Sequence, residues 1–156
     1  MNIVDFLNKG SVSSALQAKT KEEVLEEMVE LLVVSGEIKK PEKKEILKRL
    51  QEREALGSTG IGKGVAIPHA KCPNVKKMIS AFGISAEGVD FKSLDGDPTY
   101  IFFLLIAPGE TPGPHLKALA KISRLLDDRF VRERLRGAKS PQEIYKIIKE
   151  EEQKKI

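Results

Sequence analysis

TYIFFLLIAP, residues 99–108, is apolar without a break from Tyr100 to Ala107. A strand with one wet face alternates apolar and polar side chains, so an unbroken apolar run predicts a strand buried on both faces. Such a strand needs a covering layer on each side. Working outward, ISAFGIS (residues 79–85) reads as a second strand. FKSLDGDP (residues 91–98) reads as the turn region between the two, with Asp95, Gly96 and Pro98 as its punctuation. Further towards the N-terminus, GSTGIGKGVAIPHAKCP (residues 57–73) is rich in glycine and small residues, and its VAIP segment is of β type.

The covering layers come from both ends of the chain. In TKEEVLEEMVELLVVSG (residues 20–36), Thr20 and Glu23 form a capping-box pattern and Gly36 supplies a stop. The stripe Val24, Leu25, Met28, Leu31 and Leu32 between them has the spacing of a helix with one buried face. A second helix is expected from Pro41 to about Leu56, turning Ile46, Leu47 and Leu50 inward and carrying Arg49 and Arg53 one turn apart. In the C-terminal third, Leu116, Leu119, Ala120 and Ser123 suggest one helical stripe, and Phe130, Val131 and Leu135 the next. Ser140 and Pro141 open a last helix with Ile144, Ile147 and Ile148 facing inward, and EEEQKKI is expected to fray. No repeat, linker or low-complexity segment interrupts residues 1–156. The expectation is therefore a single α+β domain, a three-layer α/β/α sandwich with a mixed sheet between helices.

Composition agrees and excludes several classes. Of 156 residues, 40% are hydrophobic and 32% charged, enough to bury roughly 70% of the surface an unfolded chain of this size exposes. Cys72 is the single cysteine, which excludes an intramolecular disulfide and a multi-cysteine metal site and suits a reducing compartment. No run approaches the roughly 18 apolar residues of a membrane span, and MNIVDFLNKG lacks the basic start and apolar run of a secretory signal. Direct membrane insertion is not expected, and a cytoplasmic location is the default. The formal net charge of +4 does not point to nucleic acid, because Lys alternates with Glu along helices and no aromatic residues interleave to stack bases. Twenty Lys and 17 Glu against 3 Asn and 4 Gln lean towards a thermophile composition.

Chemistry centres on the only two histidines, His69 and His115. His69 ends the VAIP run directly after Gly57, Gly60, Gly62 and Gly64, a loop whose backbone can approach an anion closely. GSTGIGK comes near the GxxxxGK spacing of a phosphate-cradling loop. However, Gly64 stands where the Mg²⁺-binding hydroxyl belongs, and a helix rather than a strand precedes it, so nucleotide hydrolysis is not expected. An imidazole beside such a loop, with no metal, suits nucleophilic attack on a phosphoryl group. That transfer needs chiefly in-line positioning and stabilisation of charge on the equatorial oxygens. Arg53 offers a forked donor, His115 sits in the first turn of a helix opened by Pro114, and Ser58, Thr59 and Gly60 are candidate phosphate-binding groups of the loop. The plain alternatives are a solvated helix charge for Arg53 and turn formers for Ser58 and Thr59.

REALGSTGIGKGVAIPHAK (residues 53–71) closely resembles the active-site segment of the fructose/mannitol-type enzyme IIA domains of the bacterial phosphoenolpyruvate-dependent phosphotransferase system. FKSLDGDPTYIFFLLIAP (residues 91–108) and HLKALAKISRLLDD (residues 115–128) are similar to the two segments that follow in that family, and the likeness runs from about residue 3 to residue 148. The resemblance implies that His69 accepts a phosphoryl group from an HPr-type phosphocarrier, through Nε2, with His115 and Arg53 beside it. It implies a mixed sheet between helices and no metal or organic cofactor. Ala70 departs from the glycine that many members carry after the histidine, and its methyl group could narrow a partner's approach. Within the family, LGSTGIGKGVAIPHAK looks more like the stand-alone nitrogen-related form, whose partner is a regulated protein, than the sugar-delivering form, which passes the group to a IIB domain. Retention of His69, His115 and Arg53 together argues against a pure interaction module.

Overall fold

The computed structural model of the chain describes residues 1–109 and 112–155. Its centre is the strand the sequence singled out, Thr99–Ala107 (β6), in which Ile101 is 1% exposed and Phe102 to Ala107 are fully buried. Side chains alternate between the faces of a strand, and here each set meets its own helical layer. Phe102, Leu104 and Ile106 join a core with the helices Lys21–Val34 (α1) and Lys43–Ala55 (α2). Ile101, Phe103 and Leu105 join a second core with Pro112–Asp127 (α3), Arg129–Gly137 (α4) and Pro141–Lys154 (α5). At about 1.5–3 kcal/mol for each large side chain removed from water, this strand is where the two layers are bound together.

The sheet is mixed. Leu7–Ser13 (β1) lies parallel to Ile79–Val89 (β5), which is antiparallel to β6 with Phe82 opposite Phe103. On its other edge β6 pairs in parallel with two short strands end to end, Val65–Ala66 (β3) and His69–Lys71 (β4). Gly60–Gly62 (β2) closes that edge antiparallel to β3. The expected three layers and mixed sheet are therefore present, and the fold matches the implied one.

Local signals behave as their chemistry requires. Thr20 and Glu23 exchange the reciprocal capping-box bonds, each 3.2 Å, and Gly36 ends α1 at φ +81°. Ser140 accepts from the Glu143 amide and Pro141 takes the first helical position of α5.

Four expectations are corrected. Pro41 lies in a separate 3-10 turn, Lys40–Glu42, and α2 proper begins at Lys43. Helix α3 begins at Pro112 rather than Pro114 and buries Ala118, Ile122, Leu125 and Leu126, leaving Leu116 61% exposed. Two apolar stripes compete on that helix, and the one that fits the sheet wins. Phe130 is likewise 60% exposed while its neighbour Val131 is buried. The C-terminal segment does not fray through residue 154: Glu152 accepts the Ile3 amide with both oxygens, at 2.7 and 2.8 Å, and Glu151 pairs with Arg134 at 2.7 Å. Ile156 lies outside the described residues. Strand β1 carries no alternating or continuous apolar signal, because only Leu7, Ser11 and Val12 of its seven residues are buried. No helix among the described residues is long and apolar enough to cross a membrane.

Candidate active site

The site is assembled where the β3–β4 line is interrupted. Gly64, at φ +77°, turns the chain into β3, and its carbonyl accepts the amides of Tyr100 and Ile101 at 2.9 and 3.0 Å. Pro68, which has no N–H to give a ladder, separates β3 from β4, while its carbonyl still accepts from Leu105 at 2.9 Å. His69 resumes pairing opposite Leu105. The histidine is thus pinned to the most buried strand of the molecule, with its side chain half-buried.

His69 Nδ1 stands 2.7 Å from the carbonyl oxygen of Ile67. A carbonyl only accepts, so Nδ1 carries the proton and the Nε2 lone pair is left free. Burial, first, and the charge of Arg53 hold His69 below the ordinary imidazole pKa, against an opposing contribution from the Ile67 hydrogen bond. The ring is therefore neutral and nucleophilic at neutral pH. His115, only 6% exposed near the start of α3, places its ring centroid 5.7 Å from that of His69 at an interplanar angle of 52°. Its pKa is also lowered, by burial and then by the charge of a protonated His69. Its Nδ1 has no hydrogen-bond partner among the described residues.

Arg53, half-buried in the last turn of α2, donates from Nη1 to the Gly57 carbonyl at 2.8 Å. This leaves the rest of its guanidinium fork towards a pocket of about 380 Å³ lined by Arg49, Glu52, Arg53, His69, Ala70, Lys71 and His115. Arg49 is already paired with Glu45 at 2.9 Å, so Arg53 and Lys71 are the cations left for an anion in a pocket whose one lining carboxylate is Glu52, and a guanidinium matches phosphate oxygens in a fork. Ala70 also packs its methyl into the α1–α2 core at 7% exposure.

The structure brings His69, His115 and Arg53 together, but it does not bring Ser58, Thr59 or Gly60 into the pocket. The loop's polar groups are committed within the chain. Ser58 donates its hydroxyl to the Phe91 carbonyl at 2.8 Å and accepts the Gly60 amide at 3.0 Å. Thr59 is buried, its amide 3.2 Å from the Glu54 carboxylate and its hydroxyl donated to the same group. At Gly60 a side chain would meet the Ser93 Cα at 3.0 Å, so glycine there answers a close backbone approach rather than an anion. Arg49, Glu52 and Lys71 complete the pocket without having been singled out as site residues. Their signals were present: Arg49 precedes Arg53 by one helical turn on the same face, and Lys71 follows His69 by two residues on a strand, which returns it to the same side.

A mixed sheet that presents a neutral, Nε2-free histidine beside a second histidine and an arginine is the arrangement expected of a type-2 enzyme IIA domain. The chain belongs to the family "Phosphoenolpyruvate-dependent sugar phosphotransferase system, EIIA 2", which it matches over residues 5–151. Among its relatives, the nitrogen regulatory protein of Bradyrhizobium diazoefficiens is 36% identical over 148 residues, covering 95% of either chain. The fructose-specific EIIABC component of Bacillus subtilis is 38% identical over 95% of this chain but only 23% of its own length. The crystal structure of the nitrogen regulatory protein IIA-Ntr from Neisseria meningitidis superposes with a TM-score of 0.85 at 32% identity, covering 94% of this chain and 98% of that one.

Proposed function

We propose that the protein is a phosphocarrier in which His69 Nε2 accepts a phosphoryl group from the phosphohistidine of an HPr-type carrier, and that it acts as a nitrogen-related regulatory enzyme IIA. The observation that carries the transfer is the 2.7 Å bond from His69 Nδ1 to Ile67. It leaves one nitrogen, the one not engaged by the backbone, as nucleophile. In the transfer, the bond from phosphorus to the donor nitrogen breaks and its electron pair returns to the donor ring, while the Nε2 lone pair forms the new bond to phosphorus. Positive charge developing on the His69 ring is spread through Nδ1–H towards the Ile67 carbonyl. Arg53 and its neighbour Lys71 balance charge on the phosphoryl oxygens, and no cofactor is called for. This reading goes with a cytoplasmic site of action.

The regulatory assignment rests on the relatives. Nitrogen regulatory proteins recur among the relatives and match over 82–95% of their length, and the fructose-specific Bacillus subtilis protein matches through only 23% of its own, although a fructose-specific EIIA component of Haloferax volcanii matches over 84% of its own. A phosphoryl group adds nearly two negative charges at one point of a basic pocket, enough to change which partner surface fits. The second reading, transfer to a IIB domain, is favoured by the 38% identity to the fructose-specific protein.

Incubation with phosphoenolpyruvate, enzyme I and an HPr-type carrier, followed by intact-mass spectrometry, tests the transfer. One acid-labile phosphoryl group on the native protein and none on His69→Ala is the expected result. No added mass on the native protein, with the carrier itself phosphorylated, would remove the proposal. Pull-downs with the free and phosphorylated forms then separate the two readings, since a regulator changes partners on phosphorylation and a sugar-delivering domain hands the group to a IIB domain.

A further inference from the structure

One buried carboxylate stands behind the pocket without entering it. Glu54 is 8% exposed, next to Arg53 in the last turn of α2. Its carboxylate pairs with Lys21 Nζ at 2.7 Å, the two side chains being 5% and 15% exposed. It also accepts both the amide and the hydroxyl of Thr59. A desolvated carboxylate without partners would be costly, and here three donors satisfy it. The ion pair alone would account for joining the start of α1 to the end of α2, but the connection does not stop there.

Thr59 passes it on. Its carbonyl accepts the Ile67 amide at 3.0 Å, and the Ile67 carbonyl accepts the Nδ1–H of His69 at 2.7 Å. Glu54 thus holds Thr59, the Thr59 carbonyl holds the Ile67 amide, and Ile67 in turn presents its carbonyl to the ring nitrogen of His69 that does not react. The links act by position: each bond fixes the backbone that carries the next, so the place of the Ile67 carbonyl depends on how Thr59 is held. We infer that Glu54 and Thr59 are positioning residues for His69, setting its Nδ1–H tautomer and ring orientation by fixing the backbone of Ile67 on both sides of its Cα. Thr59, expected from sequence to touch phosphate, acts from behind the histidine instead. Arg53 leaves the same turn about 100° round the helix and lines the pocket, so one turn of α2 both roots the loop and supplies a pocket donor. The inference rests on reading His69 as the acceptor, but the arrangement it describes exists in the unphosphorylated protein.

That allows a test independent of transfer. Long-range ¹⁵N–¹H spectra of the imidazole rings, recorded on the unphosphorylated protein, report the tautomer and titration of His69 directly. In Thr59→Val and the smaller Thr59→Ala, the Nδ1–H to Nε2–H ratio of His69 should fall by about five- to tenfold, the change expected when one of these hydrogen bonds is weakened. His69 should also titrate at lower pH, because its bond to Ile67 is what raises it. Thr59→Ser, which restores the hydroxyl, should restore both. A purely structural role for Thr59 would lower the melting temperature and leave the ring signals unchanged. That pattern in either folded variant would overturn the inference. Failure of native protein to accept phosphoryl from the carrier would instead strike the proposed function, leaving the tautomer measurement intact.

Discussion

Arg53→Ala should separate a guanidinium that stabilises transferring charge from one that merely ends a helix. Arg53 does one structural job that can be counted: Nη1 donates to the Gly57 carbonyl at 2.8 Å at the C-terminal end of α2. Losing that bond costs about 0.5–1.5 kcal/mol, and losing a cation near a helix C-terminus about 0.3–1 kcal/mol more. For a chain of this size each kcal/mol moves the melting temperature by about 2–4 °C, so the structural loss amounts to a few degrees. Removing one preorganised charged donor from a transferring group costs on the order of 10²-fold in rate, or about 2.7 kcal/mol in the barrier. Arg53→Lys keeps the charge and loses the fork, so its rate should fall between the two, about tenfold below wild type. Rapid-quench transfer from the phosphorylated carrier, measured alongside thermal unfolding, gives both quantities. A transfer rate within about threefold of wild type, together with a melting temperature lowered by a few degrees, would refute the role and return Arg53 to a helix-ending charge.

Stability should also depend on pH through the two histidines. Both have folded-state pKa values lowered chiefly by burial, so protonation favours the unfolded chain, and their contribution is complete above the unfolded pKa of about 6.5 and lost as pH falls below it. Urea midpoints at pH 8, 6.5 and 5.5 should decline in that order, and His115→Gln should flatten the decline; equal midpoints in the native protein would contradict the burial argument. At the other end of the molecule, Glu152→Ala removes the acceptor of the Ile3 amide, which is buried. A loss of about 1–3 kcal/mol is expected, with faster amide exchange at Ile3 and Asp5, and an unchanged melting temperature would mean that the chain termini are not coupled.

Much of this protein is legible before any coordinates. The unbroken run Tyr100–Ala107 predicts a doubly covered strand, the caps at Thr20 and Ser140 mark helices by local bonding, and the resemblance of residues 53–71 and 115–128 to a family points at His69, Arg53 and His115. The strand and the caps succeed because each depends on neighbours within a turn or two, or on burial that a whole run of residues declares. Readings that failed share the opposite character. Leu116 and Phe130 are as apolar as the residues that replaced them in the core, and only the fit of α3 and α4 against the sheet chooses between faces. Ser58 and Thr59 have the chemistry of phosphate binders, yet their hydroxyls go to Phe91 and Glu54.

Sequence by itself determined the strand at the centre and the helices that cover it, because composition and periodicity act locally and burial is written into them; the proposal of His69 as acceptor came from the family resemblance. Only the tertiary structure decided which nitrogen of His69 is free, that Arg49 and Lys71 join the pocket, and that Glu54 and Thr59 stand behind the histidine rather than in the pocket. Those outcomes depend on where a carbonyl at residue 67, a carboxylate at residue 54 and an amide at residue 59 come to lie in space, and a hydrogen bond is made at about 3 Å whatever the separation along the chain.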